Sequence, residues 1–142
     1  KARDLKGPNI ALQCLLYPVT DCDLTRQSYE DNGRGFLLET QSMHWFWDIY
    51  CPNEDKRKEN YASPLLSTNL SNLPQALVST AEFDPLRDEG EAYARALETA
   101  GAKVIYKCYE GLVHDFLSTA TAFESSRQGL LDLIQTIKTE LD

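Results

Sequence analysis

The sequence predicts an α/β protein built on parallel strands, and three observations carry that prediction. Ile10 to Tyr17 is apolar except for Gln13 and does not alternate, which is how a strand covered on both faces reads. Gln75 to Ala81 is a second short run rich in strand formers. Between it and a third run at Lys103 to Tyr109 lies a helical pattern that stops at Gly101. Strand, helix and strand in that succession form a crossover, which makes the two strands parallel and the connection right-handed. The expected sheet therefore has about three parallel strands, near residues 10–17, 75–81 and 103–109, with flanking helices.

In chain order, Lys1 to Gly7 reads as the end of a helix, with Gly7-Pro8 as its stop signal. The strand at Ile10 belongs in the middle of a sheet, because both its faces are apolar. No strand is expected from Asp21 to Leu73. Asp31-Asn-Gly-Arg-Gly35 is turn chemistry, and Thr40 can cap a helix from Gln41 to Cys51 that Pro52 ends. That helix carries Met43, Trp45, Phe46, Trp47, Ile49 and Tyr50, apolar around most of its circumference, so it should be buried on more than one side. Its aromatic cluster reads equally as core packing and as the wall of an apolar substrate pocket. Glu54 to Asn60 mixes both signs of charge and is a solvated loop.

The helix after Asp84 places Leu86, Gly90, Tyr93, Leu97 and Ala100 on one face against the sheet, with Arg87, Glu91, Arg95 and Glu98 opposite. After the third strand, a loop from Glu110 to Phe116 leads into a last amphipathic helix that aligns Phe123, Arg127, Leu130, Ile134, Ile137 and Leu141.

Composition narrows the function. At 142 residues the chain is about one domain, and 42% hydrophobic with 25% charged residues is ordinary for a globular protein. A net charge of -8 argues against nucleic acid or an anionic membrane as partner, since both demand a basic face. No apolar run approaches the length of a transmembrane segment. The cysteines at 14, 22, 51 and 108 form no C-x-x-C pair, the histidines do not cluster, and no metal site or cofactor is expected. Cys14 and Cys108 lie in strand-like runs, where free cysteine behaves as a small hydrophobe. A reducing, cytoplasmic compartment is the expectation.

Asp84 and His114 carry the chemistry. Each follows the end of a parallel strand, on the edge of the sheet where open α/β folds bind ligands. Asp84-Pro85 is also an ordinary helix start, with Asp as cap and Pro in the first turn. A lone histidine is commonly a loop residue bonded to backbone, and His44 reads as packing or surface. Together, however, a carboxylate followed by a histidine fits the chain order serine, acid, histidine of an α/β-hydrolase triad. No serine completes the set. None of the seven glycines brackets a serine as G-x-S-x-G, no H-G-G-G segment occurs, and Ser63 precedes a proline in a loop without a strained elbow.

Seven segments in order then resemble one family: Leu15-Leu-Tyr-Pro-Val19, Gly35-Phe-Leu-Leu38, Trp45-Phe-Trp47, Tyr61-Ala-Ser-Pro-Leu65, Leu73-Pro74, Asp84-Pro-Leu-Arg-Asp-Glu-Gly90 and Gly111-x-x-His114-x-Phe116. They look like the C-terminal half of the hormone-sensitive-lipase-like (family IV) carboxylesterases. The resemblance implies an α/β-hydrolase acting on carboxylic esters without a cofactor, with Asp84 as catalytic acid and His114 as catalytic base. It implies that residues 1–142 are the C-terminal portion of one domain, and that the oxyanion motif and the nucleophile lie upstream of Lys1. Where the family commonly has Gly after the histidine, this chain has Asp115, which either perturbs the imidazole or faces solvent.

Three readings follow. The first is an esterase or lipase whose acid and base are here and whose serine is not, so that the isolated chain is inactive and its partners are the missing half and a small ester. The second is a ligand-binding member of the family without catalysis. The third is a free-standing α/β interaction domain, which would have to tolerate an apolar edge strand at Ile10 that invites aggregation, swapped pairing or a homo-oligomer.

Overall fold

β2, Ala76–Phe83, is the axis of the fold, and its first six residues are buried. In the computed structural model, which describes residues 1–141, β2 lies between β1 (Gln13–Leu16) and β3 (Val104–Val113). Both neighbours run parallel to it. Helix α4 (Arg87–Thr99) makes the crossover from β2 to β3 and covers one face, packing Tyr93, Ala94 and Leu97 on Ala76 and Val78. Helix α5 (Glu124–Leu141) follows β3 and covers the other face. There Lys107 Nζ donates to Asp132 at 2.7 Å and Tyr109 OH to the same carboxylate at 2.8 Å. Burial of the apolar side chains of β2 from both sides contributes about 1.5–3 kcal/mol for each large one.

The excursion between β1 and β2 holds α1 (Gln27–Asn32), α2 (Thr40–Tyr50) and the single turn α3 (Glu54–Arg57). It packs Tyr29, Leu38, Met43 and Trp47 against Leu86. No described helix is long and apolar enough to cross a membrane.

The structure corrects several expectations. β1 is four residues long, shorter than the 10–17 run, and it stands at the sheet edge, as expected for this chain by itself. Its pairing begins where Gln13 N–H donates to Gln75 C=O at 2.9 Å. Ile10 to Leu12 precede the ladder, whose first register pair is Gln13 with Ala76. β3 continues past Tyr109 to Val113 and takes up most of the expected loop. Lys1 to Gly7 is a single turn that closes as a helix end does, with Leu5 N–H donating to Lys1 C=O at 2.9 Å and Lys6 N–H to Arg3 C=O at 3.1 Å. Lys6 rather than Gly7 takes the left-handed conformation, and Gly7 N–H closes back on Ala2 C=O at 2.8 Å.

α2 buries only Met43 and Trp47, while Trp45, Phe46, Ile49 and Tyr50 are exposed. Thr40 does not cap it; its hydroxyl donates to Tyr29 C=O at 3.2 Å. α1 was not expected, and the charged 54–60 loop contains the turn α3, capped by the Asn53 side chain accepting from Asp55 N–H. Cys14 and Cys108 are free but exposed rather than buried.

α5 turns a different face inward than the apolar periodicity suggests. Ser126, Gly129 and Leu133 are buried, whereas Phe123, Ile134 and Leu141 are exposed. Small residues decide this, because α5 approaches the Phe116 ring so closely that a Cβ on Gly129 would lie 2.9 Å from it. Gly129→Leu should therefore lower stability by about 1–3 kcal/mol through overpacking, read as a drop in the denaturation midpoint.

Candidate active site

Tyr17, Asp84 and His114 are each the first residue beyond the end of a strand, following β1, β2 and β3 respectively. Parallel pairing brings these three ends to one edge of the sheet. A bulge does the fine placement. Ala81 pairs with Tyr109 but Phe83 pairs with Val113, so one residue of β2 faces three of β3. Gly111 absorbs the excess with φ +72°, and its N–H donates to the Glu82 carboxylate at 2.7 Å. This shortens the path of β3 and sets His114 beside Asp84.

Asp84 is fully buried, and its two oxygens have separate partners. Oδ1 accepts from Leu86 N–H at 2.8 Å, starting the turn that leads into α4. Oδ2 lies 2.8 Å from His114 Nδ1. Asp84 is therefore not the cap of α4, whose N-cap is Leu86 without a side-chain bond; it closes the turn before the helix with one oxygen and meets the histidine with the other. A neutral imidazole that donates from Nδ1 to Oδ2 would leave Nε2 as its acceptor.

Asp115 does not face the imidazole. It adopts left-handed backbone, φ 56° and ψ 29°, which accounts for the glycine that the resembled family commonly has there. Its carboxylate accepts from Tyr17 OH at 2.9 Å, and the Tyr17 ring lies against the His114 ring at 4.8 Å between centroids. Burial, and after it the Asp115 carboxylate, push the Tyr17 hydroxyl well above the usual phenol range, so it stays a donor.

His114 also lines an apolar cavity of about 240 Å³ with Tyr17, Val19, Leu38, Met43 and Phe46. Val19, Met43 and Phe46 also border a second apolar cavity of about 370 Å³, backed by Trp47, Tyr50 and Tyr61. The aromatic helix α2 is thus a pocket wall as well as core. His44 is exposed on α2 and takes no part. Ser63 is buried, its hydroxyl donating to Arg57 C=O at 2.6 Å. Among the described residues no serine hydroxyl is hydrogen-bonded to His114, and no three His, Cys, Asp or Glu side chains gather as a metal site.

Sequence reasoning missed Glu89. It is fully buried and accepts from Thr20 N–H at 2.6 Å, Asp21 N–H at 3.2 Å and Tyr29 OH at 3.0 Å. It thereby pins the chain leaving β1 to α4, directly beneath the excursion that forms the pocket. The signal was present: Glu89 lies four residues before Tyr93 on the sheet-facing side of α4, an acid where the pattern asks for an apolar residue.

A family model for the α/β hydrolase fold matches residues 1–118. The chain belongs to that family. Within it, the chain is similar to hormone-sensitive-lipase-like carboxylesterases. It is 39% identical to the ethyl acetate hydrolase of Pseudomonas putida over 98% of this chain and 43% of that protein. It is 41% identical to the carboxylic ester hydrolase LipN of Mycobacterium tuberculosis over 99% of this chain and 38% of that one. A solved thermostable esterase from Pseudomonas putida superposes with a TM-score of 0.93 at 40% identity, over 99% of this chain and 46% of that chain. The chain therefore spans less than half the length of each of these relatives.

Burial pushes the Glu89 carboxyl up to about 7 from an ordinary 4.5, against the opposing pull of its N–H and hydroxyl donors. A carboxyl raised on folding contributes stability that is fully present below about pH 4.5 and is lost as pH rises through about 7. Thermal melts across that window should show the melting temperature of the parent falling with pH and that of Glu89→Gln staying flat by comparison. An unchanged profile in the variant would exclude Glu89 as the source.

Proposed function

We propose that this chain supplies the acid and the base of a serine carboxylesterase, Asp84 and His114, and that the nucleophilic serine and oxyanion hole come from a segment N-terminal to these residues. The observation that carries this reading is the 2.8 Å pairing of Asp84 Oδ2 with His114 Nδ1 at adjacent strand ends, beside an apolar cavity. Membership in a carboxylic ester hydrolase family supports it, as does the length of the relatives, more than twice the span matched here.

In this mechanism Asp84 holds the Nδ1–H tautomer and offsets the charge of the imidazolium that forms. Nε2 of His114 takes the proton of the serine hydroxyl as its oxygen attacks the ester carbonyl. It then gives that proton to the departing alkoxide, leaving an acyl-enzyme. Water enters, loses a proton to Nε2, and its oxygen releases the carboxylic acid while the proton returns to serine. The cavities lined by Val19, Met43 and Phe46 suit an apolar acyl or alcohol group.

On this account the isolated chain does not turn over esters. Joined to its nucleophile-bearing segment, it hydrolyses short acyl esters such as a p-nitrophenyl butyrate probe. His114→Ala should then lower kcat by about 10³-fold or more, measured by release of the phenolate. Undiminished turnover in that variant would overturn the assignment.

A further inference from the structure

Four non-glycine residues among those described have positive φ, and two of them flank the imidazole: Tyr17 at 37° and Asp115 at 56°. Left-handed backbone is uncommon for Asp and a clear outlier for a bulky aromatic, and such outliers persist only where surrounding contacts over-determine them. Here the contacts are visible. Tyr17 N–H donates to Ser79 C=O at 2.6 Å, tying the end of β1 to β2. The Asp115 carbonyl accepts from Ser118 N–H at 3.1 Å and from its hydroxyl at 2.9 Å, closing the turn after His114. Between these anchored points the Tyr17 hydroxyl donates to Asp115 Oδ1 at 2.9 Å, across 98 positions of sequence.

We propose that the Tyr17–Asp115 hydrogen bond is a latch that holds the His114 ring in the orientation in which Nδ1 faces Asp84, making both residues positioning residues for the base. Its relevance to catalysis rests on the reading of His114 as general base. Asp84 alone fixes one atom of the imidazole and leaves the ring free to tilt about that bond. The Tyr17 ring, 4.8 Å away and inclined at 58°, supplies a wall along the imidazole, and the edge of Phe116 braces Tyr17 at 5.9 Å. The latch fixes where that wall stands, because it joins the residue after β1 to the residue after His114. It also explains how this chain carries Asp at a left-handed position: the side-chain bond compensates for strain that glycine would not incur.

The test uses the chain itself with isotope-labelled histidine, comparing the parent with Tyr17→Phe, Asp115→Gly and the double variant. Imidazole carbon and nitrogen shifts report the tautomer of His114. The parent should show the Nδ1–H form, and both single variants should move toward averaged tautomer shifts. The double variant should move no further than the larger single one, as coupled partners do. Asp115→Gly should melt at or above the parent temperature, since it relieves the backbone, so loss of orientation is separated from loss of fold. In the esterase that includes the nucleophile, each single variant should lower kcat by about 3- to 10-fold with KM within about two-fold. Unchanged His114 shifts in both single variants, or shifts that add in the double variant, would overturn the latch. Full ester turnover in His114→Ala would overturn the general-base reading instead, with the shift results unaffected.

Discussion

The carboxylate of Asp84 is bonded on both sides, and the rest of the site depends on that division. One oxygen takes the Leu86 N–H and turns the chain from β2 toward α4; the other takes His114. Because Asp84 has no exposure, an oxygen without a donor there would carry the full cost of an unsatisfied buried polar group, about 1–3 kcal/mol and more if charged. Sheet, bulge and helix therefore have to deliver their donors together. Parallel pairing of β2 with β3 brings the strand ends level, the Glu82–Gly111 bond holds the bulge, and Gly111 supplies the backbone freedom the bulge requires.

Glu89 works the same way one turn into α4. Its oxygens gather donors from Thr20, Asp21 and Tyr29, so the excursion that walls the cavity is anchored to the same helix that the Asp84 turn leads into. Two buried acids within one sequence segment thus set His114 and the pocket relative to each other. A shift of α4 along the sheet would disturb both, and Gly90, where a Cβ would fall 2.7 Å from Thr80, shows how closely the helix is seated.

Much of this was legible in the sequence. Asp84 and His114 were identified from their places after strand runs, the crossover from the succession of periods, and the sheet-facing side of α4 from its steps of four and three. What escaped depended on partners far along the chain. Glu89 becomes meaningful only once Thr20 and Tyr29 are seen against it, and Asp115 only once Tyr17 is. The inward face of α5 followed close approach at Gly129 rather than hydrophobicity, and α1 is too short for periodicity to announce. The aromatic side of α2 misled in another way. Trp45, Phe46, Ile49 and Tyr50 are apolar and exposed, like the free edge of β1, surfaces that suit the N-terminal segment of the proposed esterase better than water.

The central claim is that acid and base lie in this chain and the nucleophile does not. Labelling with a fluorophosphonate, which reacts with an activated serine, followed by peptide mass mapping, tests it most directly. In the esterase that includes the upstream segment, the adduct should fall on a serine outside residues 1–142, and the chain alone should take up none. An adduct on any serine within residues 1–142 would contradict the account.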